Sequence, residues 1–204
     1  MSNNLSYNYS FYEAFGKERD NAIRLHHQRY QEVGFFGKDD KDPYETNSTY
    51  FVAESITEKK IVGVTRLIFE KLEELPTMKY FSLYDLEKAK LMQMDRNRYA
   101  EISAFTKLPQ HDVGMGLIRT VLQYSQHTGI THWICCIDER VYNYMHRMFK
   151  FPFKVVGAPK LYLGSTSIPC LLNLTECLNT LEVYRPTLYN YLSENSYKTN
   201  EVVQ

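Results

Sequence analysis

The sequence predicts a mixed α/β fold in which helices cover both faces of one sheet. Apolar, β-branched runs alternate along the chain with segments whose apolar residues recur every three to four positions. Residues 99–137 follow the order strand, glycine loop, helix, strand, which is a βαβ unit whose two strands should be parallel. A hairpin upstream adds antiparallel strands, so the sheet should be mixed.

The first half of the chain is predicted to contain a helix, a long loop and the hairpin. Residues 18–33 favour a helix because their apolar and aromatic side chains, Val33 among them, fall on one stripe. A loop rich in Gly, Asp and Pro follows at 34–48. The β-branched and aromatic runs 49–55 and 61–70 flank a short polar stretch, which is typical of an antiparallel hairpin.

The second half is predicted to complete the sheet and its helical cover. Gly129 should end the long helix of the βαβ unit, because glycine commonly terminates helices. We expect one domain over residues 1–193 and a flexible tail over 194–204. The predicted elements are a partly helical segment at 76–94, a strand at 99–108, a helix at 113–129, a strand at 131–138, a helix at 139–150, closing strands within 153–157 and 160–174, and a C-terminal helix at 175–194 that Pro186 interrupts.

The composition restricts the possible partners and the cellular location. Lys and Arg together number 24, as do Asp and Glu, so the net charge gives no reason to expect nucleic-acid or membrane-surface binding. The N-terminal segment is polar, and we expect neither a signal peptide nor a membrane span. The four cysteines are best interpreted as reduced thiols, which favours a cytoplasmic protein.

A glycine loop precedes the central helix and is a candidate cofactor-binding element through Gly114 and Gly116. A helix N-terminus after glycines presents N–H groups that suit a phosphate. Acetyltransferases of the GNAT superfamily bind the coenzyme A diphosphate with a Gln/Arg-x-x-Gly-x-Gly/Ala loop. Here Gln110 comes one residue too early, and Asp112 places a negative charge where the diphosphate would lie. The loop is either a packing turn or part of a site that binds a donor mainly through its pantetheine arm.

Glu101 is the candidate catalytic base. Strand alternation places Tyr99, Glu101, Ser103 and Phe105 on one face of the predicted strand. A buried glutamate is costly unless it is paired or functional, and burial raises its pKa towards the range useful for a general base. A structural ion pair with Arg66 is the alternative interpretation.

Arg66 lies within an apolar strand and has no local partner. A buried arginine needs an acidic partner, and Asp42, Glu45 and Glu101 are the candidates. A metal site is not predicted, because His26 and His27 are adjacent on a helix and should diverge.

Together these residues resemble the acyl-homoserine-lactone (LuxI-type) synthases and their relatives, the N-acyl amino acid synthases, all built on the GNAT fold. The resemblance covers roughly residues 24–175. It rests on an Arg in the first helix (Arg29), an acidic pair before the first strand (Asp42 and Glu45), an Arg in the next strand (Arg66) and a Glu-x-Ser motif (Glu101 and Ser103).

This chain departs from the autoinducer synthases at three positions. Ala104 follows Ser103 where many of them have Arg, Glu45 stands in place of an Asp, and Phe35 lies near the position of their Trp. These departures favour the N-acyl amino acid synthase branch, in which an amino acid or similar small amine is the acceptor.

The resemblance implies a GNAT-like three-layer sandwich with a mixed, centrally splayed sheet. It implies no permanently bound cofactor, and an acyl-carrier protein as the partner that delivers the acyl thioester on phosphopantetheine. The strands around Ser103 and Trp133 would separate to admit the arm. Glu101 would accept the amine proton, and a backbone N–H near Phe105 would hold the oxyanion.

The resemblance also assigns roles around the acceptor and on the surface. Arg66 and its acidic partners would shape the acceptor site, and Arg29 could hold a carboxylate. An acidic carrier protein would dock on a basic surface, for which the candidates are Lys107, Arg119, Arg147, Lys150, Lys154 and Lys160.

Two alternatives remain open from the sequence. The first keeps the fold and uses acetyl- or acyl-CoA as the donor, as an N-acetyltransferase would. The second is a non-catalytic acyl-binding protein on the same fold, which would leave Glu101 pointing into solvent.

Overall fold

The computed structural model describes residues 8–194 and confirms the predicted mixed α/β architecture. Within this range the strands are β1 (Tyr9–Glu13), β2 (Ser48–Ser55), β3 (Lys60–Ile68), β4 (Tyr99–Lys107), β5 (His132–Asp138), β6 (Lys154–Val155), β7 (Lys160–Tyr162) and β8 (Ser165–Asn173). The helices are α1 (Gly16–Glu32), α2 (Pro76–Tyr80), α3 (Asp85–Met92), α4 (Gly114–Thr128), α5 (Glu139–Tyr144), α6 (Leu174–Tyr184) and α7 (Pro186–Ser193), with a π-helical turn at Met145–Phe149 after α5.

The strands form one open sheet in the order β1-β2-β3-β4-β5-β8-β6, and β7 pairs with β8. The pairing of β4 with β5 is parallel, and every other strand pair in the described residues is antiparallel. The predicted hairpin and the predicted βαβ unit are both confirmed. A parallel pair requires a long crossover, and α4 provides it.

Alternation along β2 shows how the two helical layers are built. Phe51 packs with Val121 and Leu122 of α4, whereas the next residue, Val52, packs with Ala22 and Leu25 of α1. Successive side chains of a strand point to opposite faces, so α1 and α4 cover opposite faces of the sheet. This arrangement is the predicted three-layer sandwich.

The sheet separates at its centre, as expected of a splayed sheet. Parallel pairing between β4 and β5 runs only from Tyr99↔His132 to Glu101↔Ile134. Both strands continue beyond these pairs, β4 to Lys107 and β5 to Asp138, without pairing to each other. A gap therefore opens in the middle of the sheet.

Several element predictions need correction. Strand β1 was not predicted, because its sequence YSFYE has no β-branched residue and lies in a polar N-terminal segment. Val33 lies just beyond the end of α1 and is 52% exposed, so it does not belong to the buried stripe. The segment 76–94 contains two short helices, α2 and α3, and not one.

The helix ends are confirmed where a glycine or a proline sets them. Gly129 ends α4 with φ of +80°, a left-handed conformation that glycine adopts without strain. Pro186 separates α6 from α7. The predicted tail lies outside the described residues except for Glu194, whose backbone oxygen accepts hydrogen bonds from Arg119 and Gln123.

All four cysteines are free thiols. Among the helices of residues 8–194, none combines the length and apolar character needed to cross a membrane.

Candidate active site

A cavity of about 970 Å³ occupies the gap between β4 and β5 and reaches both faces of the sheet. Polar residues line its α1 side, among them Asp42, Tyr44, Arg66, Glu101 and Ser103. Apolar residues line its α4 side, among them Ile102, Ile118, Trp133, Met145, Phe151 and Phe153. The cavity therefore joins a polar chamber to an apolar one.

Glu101 is the last residue of β4 that pairs with β5, so it lies where the gap begins, and it is 1% exposed. Both carboxylate oxygens accept hydrogen bonds from Thr77: the backbone N–H lies 2.9 Å from Oε2 and 3.2 Å from Oε1, and the side-chain Oγ1 lies 2.9 Å from Oε1. Glu101 is not bonded to Arg66, which excludes the direct ion pair that was the alternative interpretation.

Burial raises the pKa of Glu101 from its ordinary value of 4.5 to about 8, although the hydrogen bonds from Thr77 and the charge of Arg66 both oppose the rise. A carboxyl group with such a pKa exchanges protons near neutral pH, which is the requirement for a general base. The residue that strand alternation selected therefore has a suitable environment for proton transfer.

Arg66 organises the polar chamber. Its Nη1 donates to Asp42 Oδ2 and, over 3.0 Å, to the hydroxyl of Tyr50, and its Nε donates to Ser103 Oγ over 3.0 Å. Asp42 is held in turn by the backbone N–H of Tyr44, 3.0 Å from Oδ1. Of the three predicted acidic partners, the structure brings only Asp42 into contact with Arg66.

A β-bulge in β4 lies next to Ser103. Arg66 pairs with Ser103 and Val64 pairs with Thr106, so Ala104 and Phe105 together oppose a single residue of β3. Ala104 has φ of +54°, in the left-handed region that L-residues rarely adopt. Such a bulge redirects the backbone, and both Ala104 and Phe105 line the cavity.

The bulge corrects the predicted alternation. The ring of Phe105 points towards Gly114 at the start of α4, where a Cβ on Gly114 would lie 3.7 Å from Phe105 Cε1. Phe105 therefore faces the α4 side, whereas Glu101 and Ser103 face the α1 side, because the extra residue in the strand shifts the alternation by one.

The family is decided by a sequence comparison. A model of the N-acyl amino acid synthase FeeM family matches residues 21–175, which include every residue of the polar chamber. The chain belongs to this family. No curated protein sequence matches it.

Three solved structures have the same fold as this protein. FeeM, an N-acyl amino acid synthase from uncultured soil microbes, is 20% identical with a TM-score of 0.62, over 84% of this chain and 95% of FeeM. The acyl-homoserine-lactone synthase LasI is 15% identical with a TM-score of 0.61, over 81% of this chain and 89% of LasI. BjaI, a CoA-dependent acyl-homoserine lactone synthase, is 15% identical with a TM-score of 0.58, over 86% of this chain and 81% of BjaI.

The family and these neighbours are acyltransferases, so the N-acyl amino acid synthase family member is an amide-forming acyltransferase on a GNAT-like fold. Asp42, Arg66, Glu101 and Ser103 meet in the polar chamber. Trp133 lines the apolar chamber, and its indole Nε1 donates to Ser125 Oγ over 2.9 Å, which fixes the ring.

Two predicted residues of the synthase lie away from the cavity. Arg29 forms an ion pair with Glu32 one turn along α1, and it does not line the cavity because the helix turns it outward. Glu45 lies 3.5 Å from Nε2 of His27 and does not contact Arg66.

The glycine loop is a packing feature in this enzyme at Gly116. A Cβ there would lie 2.1 Å from Cζ of Phe11, so the ring of β1 occupies the space above the helix start. Beside it, the hydroxyl of Tyr9 lies 3.0 Å from Nδ1 of His111. Neither Gly114 nor Gly116 lines the cavity, which favours the packing-turn interpretation over a direct cofactor contact.

A group of potential metal ligands lies beside the polar chamber. Contrary to the prediction that adjacent histidines diverge, ligand atoms of His26, His27 and Asp42 lie within 4.8 Å of one another. Burial and the charge of Arg66 lower the pKa of His26 to about 3, so its ring is neutral. Arg66 already donates to Asp42 Oδ2, and its charge opposes a divalent cation, so we assign no metal to this group.

The predicted basic docking surface is largely engaged within the molecule. Lys154 pairs with Glu87 and Arg119 with Glu194, while Lys160 donates to the carbonyl of Tyr80 and Lys107 to that of His111. Within the described residues, the two remaining cations of the set, Arg147 and Lys150, make no ion pair.

Two residues of the site were not found from the sequence. Tyr50, which accepts from Arg66, lies directly opposite it in the hairpin, so the hairpin register could have found it. Thr77, which holds Glu101, comes from a separate short helix 24 positions away in the chain, and no sequence pattern links the two residues.

Proposed function

We propose that this enzyme transfers a fatty acyl group from a phosphopantetheine thioester to the amine of an amino acid or a similar small molecule. The observation that carries the proposal is Glu101, buried at the junction of a polar and an apolar chamber with a pKa near 8. The acyl chain would lie in the apolar chamber and the acceptor in the polar one. The thioester carbonyl would then lie in the gap between β4 and β5.

The reaction forms one amide bond and releases one thiol. The amine nitrogen attacks the thioester carbonyl carbon, and Glu101 accepts the proton that the nitrogen loses, directly or through water. The C–S bond then breaks, and the departing thiolate takes up a proton. A backbone N–H at the bulge, near Phe105, would stabilise the oxyanion, since this part of β4 lines the cavity without pairing to β5.

The acceptor would be held by the polar chamber. Ser103, Arg66 and Asp42 give it a rigid wall of one hydroxyl and two opposite charges. Arg29 lies outside the cavity, so we assign the contact with an acceptor carboxylate to Lys41, an exposed lysine at the cavity edge that has no ion pair in the described part of the chain.

The first test is the substitution Glu101→Gln, which keeps the shape of the side chain and removes its basicity. We expect turnover to fall by about 10²–10⁴-fold, the range that general-base catalysis typically contributes. Mass spectrometry of the N-acyl product measures the loss, and a thermal melt checks that the variant is folded. Near-normal turnover in a folded variant would remove Glu101 from the reaction.

For the donor, we propose an acyl-carrier protein, and therefore a cytoplasmic location where that carrier is present. The support is the start of α4, where Phe11 and Tyr9 cover the glycine loop and Asp112 adds an exposed negative charge. These features leave the loop unsuited to a diphosphate. Acyl-CoA is the second candidate, because the structural neighbour BjaI is CoA-dependent.

Turnover with matched donors distinguishes the two candidates. The same acyl chain is supplied on a carrier protein, on CoA and on pantetheine alone, and kcat/KM is measured for each. We expect the carrier to be preferred, and CoA to have no advantage over pantetheine because the diphosphate finds no binding site. A kcat/KM for acyl-CoA well above that for acyl-pantetheine would contradict the carrier assignment.

A further inference from the structure

We propose that Thr77 is a positioning residue, which holds the Glu101 carboxylate in its ionised, reaction-ready orientation. This inference rests on the proposed function, in which Glu101 is the base. Thr77 does not line the cavity and is 0% exposed, so it cannot touch either substrate. Its hydroxyl also lies beside the thiol of Cys136, which lines the cavity, but burial raises the pKa of that thiol to about 12, so it does not titrate near neutral pH. We therefore assign the effect of Thr77 on the reaction to Glu101.

The contacts of Thr77 with Glu101 account for both carboxylate oxygens. The backbone N–H bonds to Oε2 and also approaches Oε1, and the hydroxyl donates to Oε1, at distances of 2.9 to 3.2 Å. Two donors from one residue fix the carboxylate plane, as a bidentate partner would. In the described residues, these are the hydrogen bonds that Glu101 accepts.

Thr77 is itself held in place by its neighbours in the chain. Thr77 is the second residue of α2, after Pro76, so no preceding helical turn offers an acceptor to its backbone N–H. At the other end of α2, the carbonyl of Tyr80 accepts from Lys160, and its ring lies 5.3 Å from that of Tyr162. The donors therefore come from a segment fixed at both ends.

The hydrogen bonds favour the ionised carboxylate over the protonated form. Burial alone drives the pKa of Glu101 upward, and the donors from Thr77 oppose that rise. Without the hydroxyl, the pKa would rise further, and a smaller fraction of Glu101 would be ionised at neutral pH. Loss of the hydroxyl should therefore act as a shift of the pH–rate profile.

The experiment compares Thr77→Val, which removes the hydroxyl and keeps the shape, with Thr77→Ser, which retains it. Thr120→Val is the matched control, because Thr120 is also buried and loses one hydroxyl bond, to Gly116, on the other side of the sheet. The pH–rate profile of acyl transfer is recorded for each variant. Carbon-13 NMR of protein labelled at its glutamate carboxyl carbons follows the titration of Glu101 directly. The signal that is missing in Glu101→Gln identifies Glu101.

We expect Thr77→Val to move the acidic, rising limb of the profile and the NMR titration upward by about one pH unit, and to lower the rate at pH 7 about tenfold. Thr77→Ser should restore both, and Thr120→Val should move neither. A Thr77→Val enzyme with the wild-type profile, or one slowed equally at every pH with an unmoved titration, would overturn the inference. An active Glu101→Gln enzyme would instead overturn the proposed function.

Discussion

At the scale of single residues, the properties of Glu101 depend on where three neighbours place their charges and donors. Thr77 satisfies both oxygens, Arg66 is close enough to lower the pKa, and burial outweighs both. Arg66 avoids a direct bond to Glu101 because Asp42 is its partner. Had Arg66 paired with Glu101, the carboxylate would be a stable anion and a poor base.

The raised pKa of Glu101 predicts how stability depends on pH. The folded protein binds this proton more tightly than the unfolded chain does, so stability falls as pH rises from about 4.5 towards 8. Each pH unit in this window costs up to about 1.4 kcal/mol. Glu101→Gln lacks the titrating group and should gain stability relative to the wild type across the window.

Urea unfolding of the two proteins at pH 5, 7 and 9 measures this difference. His26 also titrates below this window in the folded state, but it is present in both proteins and cancels in the comparison. A difference in unfolding free energy that stays constant from pH 5 to 9 would show that Glu101 is ionised throughout.

At the scale of elements, the contact of β1 with α4 decides the role of the glycine loop. Phe11 fills the space that a side chain at Gly116 would need, whereas Gly114 has room for one, with an ordinary contact of 3.7 Å to Phe105. The two glycines of one motif therefore have different reasons to be glycine.

This difference predicts the outcome of a matched pair of substitutions. Gly116→Ala should destabilise the protein by about 1–3 kcal/mol, because the new methyl group displaces the Phe11 ring. Gly114→Ala should be tolerated. In a Phe11→Ala background, Gly116→Ala should become neutral or favourable, since alanine is the better helix former by about 1 kcal/mol. Equal costs for Gly116→Ala with and without Phe11 would show that β1 does not cause the strain.

The elements could be predicted from the sequence where a local pattern determines them. The hairpin, the βαβ unit and the stop at Gly129 follow from alternation, helical period and one glycine. The strand β1 has no such pattern, and its place is determined by pairing with β2. The bulge at Ala104 was likewise missed, because nothing in the residue types announces the extra residue that turns Phe105 to the other face.

The site residues divide in a similar way. Arg66 was recognised because a charge in an apolar strand stands out, yet its choice of Asp42 among three acids depends on the path of a loop. Arg29 was misplaced because the resemblance gave its helix and not its face. No sequence pattern indicated Thr77, because its contact with Glu101 forms only when two segments that are distant in the chain come together.

At the scale of the whole molecule, the gap interrupts the hydrogen bonding between β4 and β5, and backbone hydrogen bonds elsewhere connect the two parts of the sheet. Where β4 and β5 separate, the segment 82–84 crosses to the strands beyond β5: the Tyr84 N–H donates to the Val156 carbonyl and the Ala158 N–H to the Ser82 carbonyl. At Gly157 a side chain would meet the Ser82 carbonyl at 2.5 Å, so the backbones touch. The two parts of the sheet are thus joined outside the gap.

The opening between β4 and β5 is closed by strand pairing at one end, at Tyr99–Glu101, and lies unpaired beyond that point. In the proposed reaction the amide would form inside it, with the hydrocarbon chain on the α4 side and the acceptor on the α1 side. The finished molecule would lie across the sheet, with its two ends on opposite faces. To leave, it would have to withdraw its hydrocarbon chain from the apolar chamber, so longer chains should leave more slowly, and product release would then limit turnover.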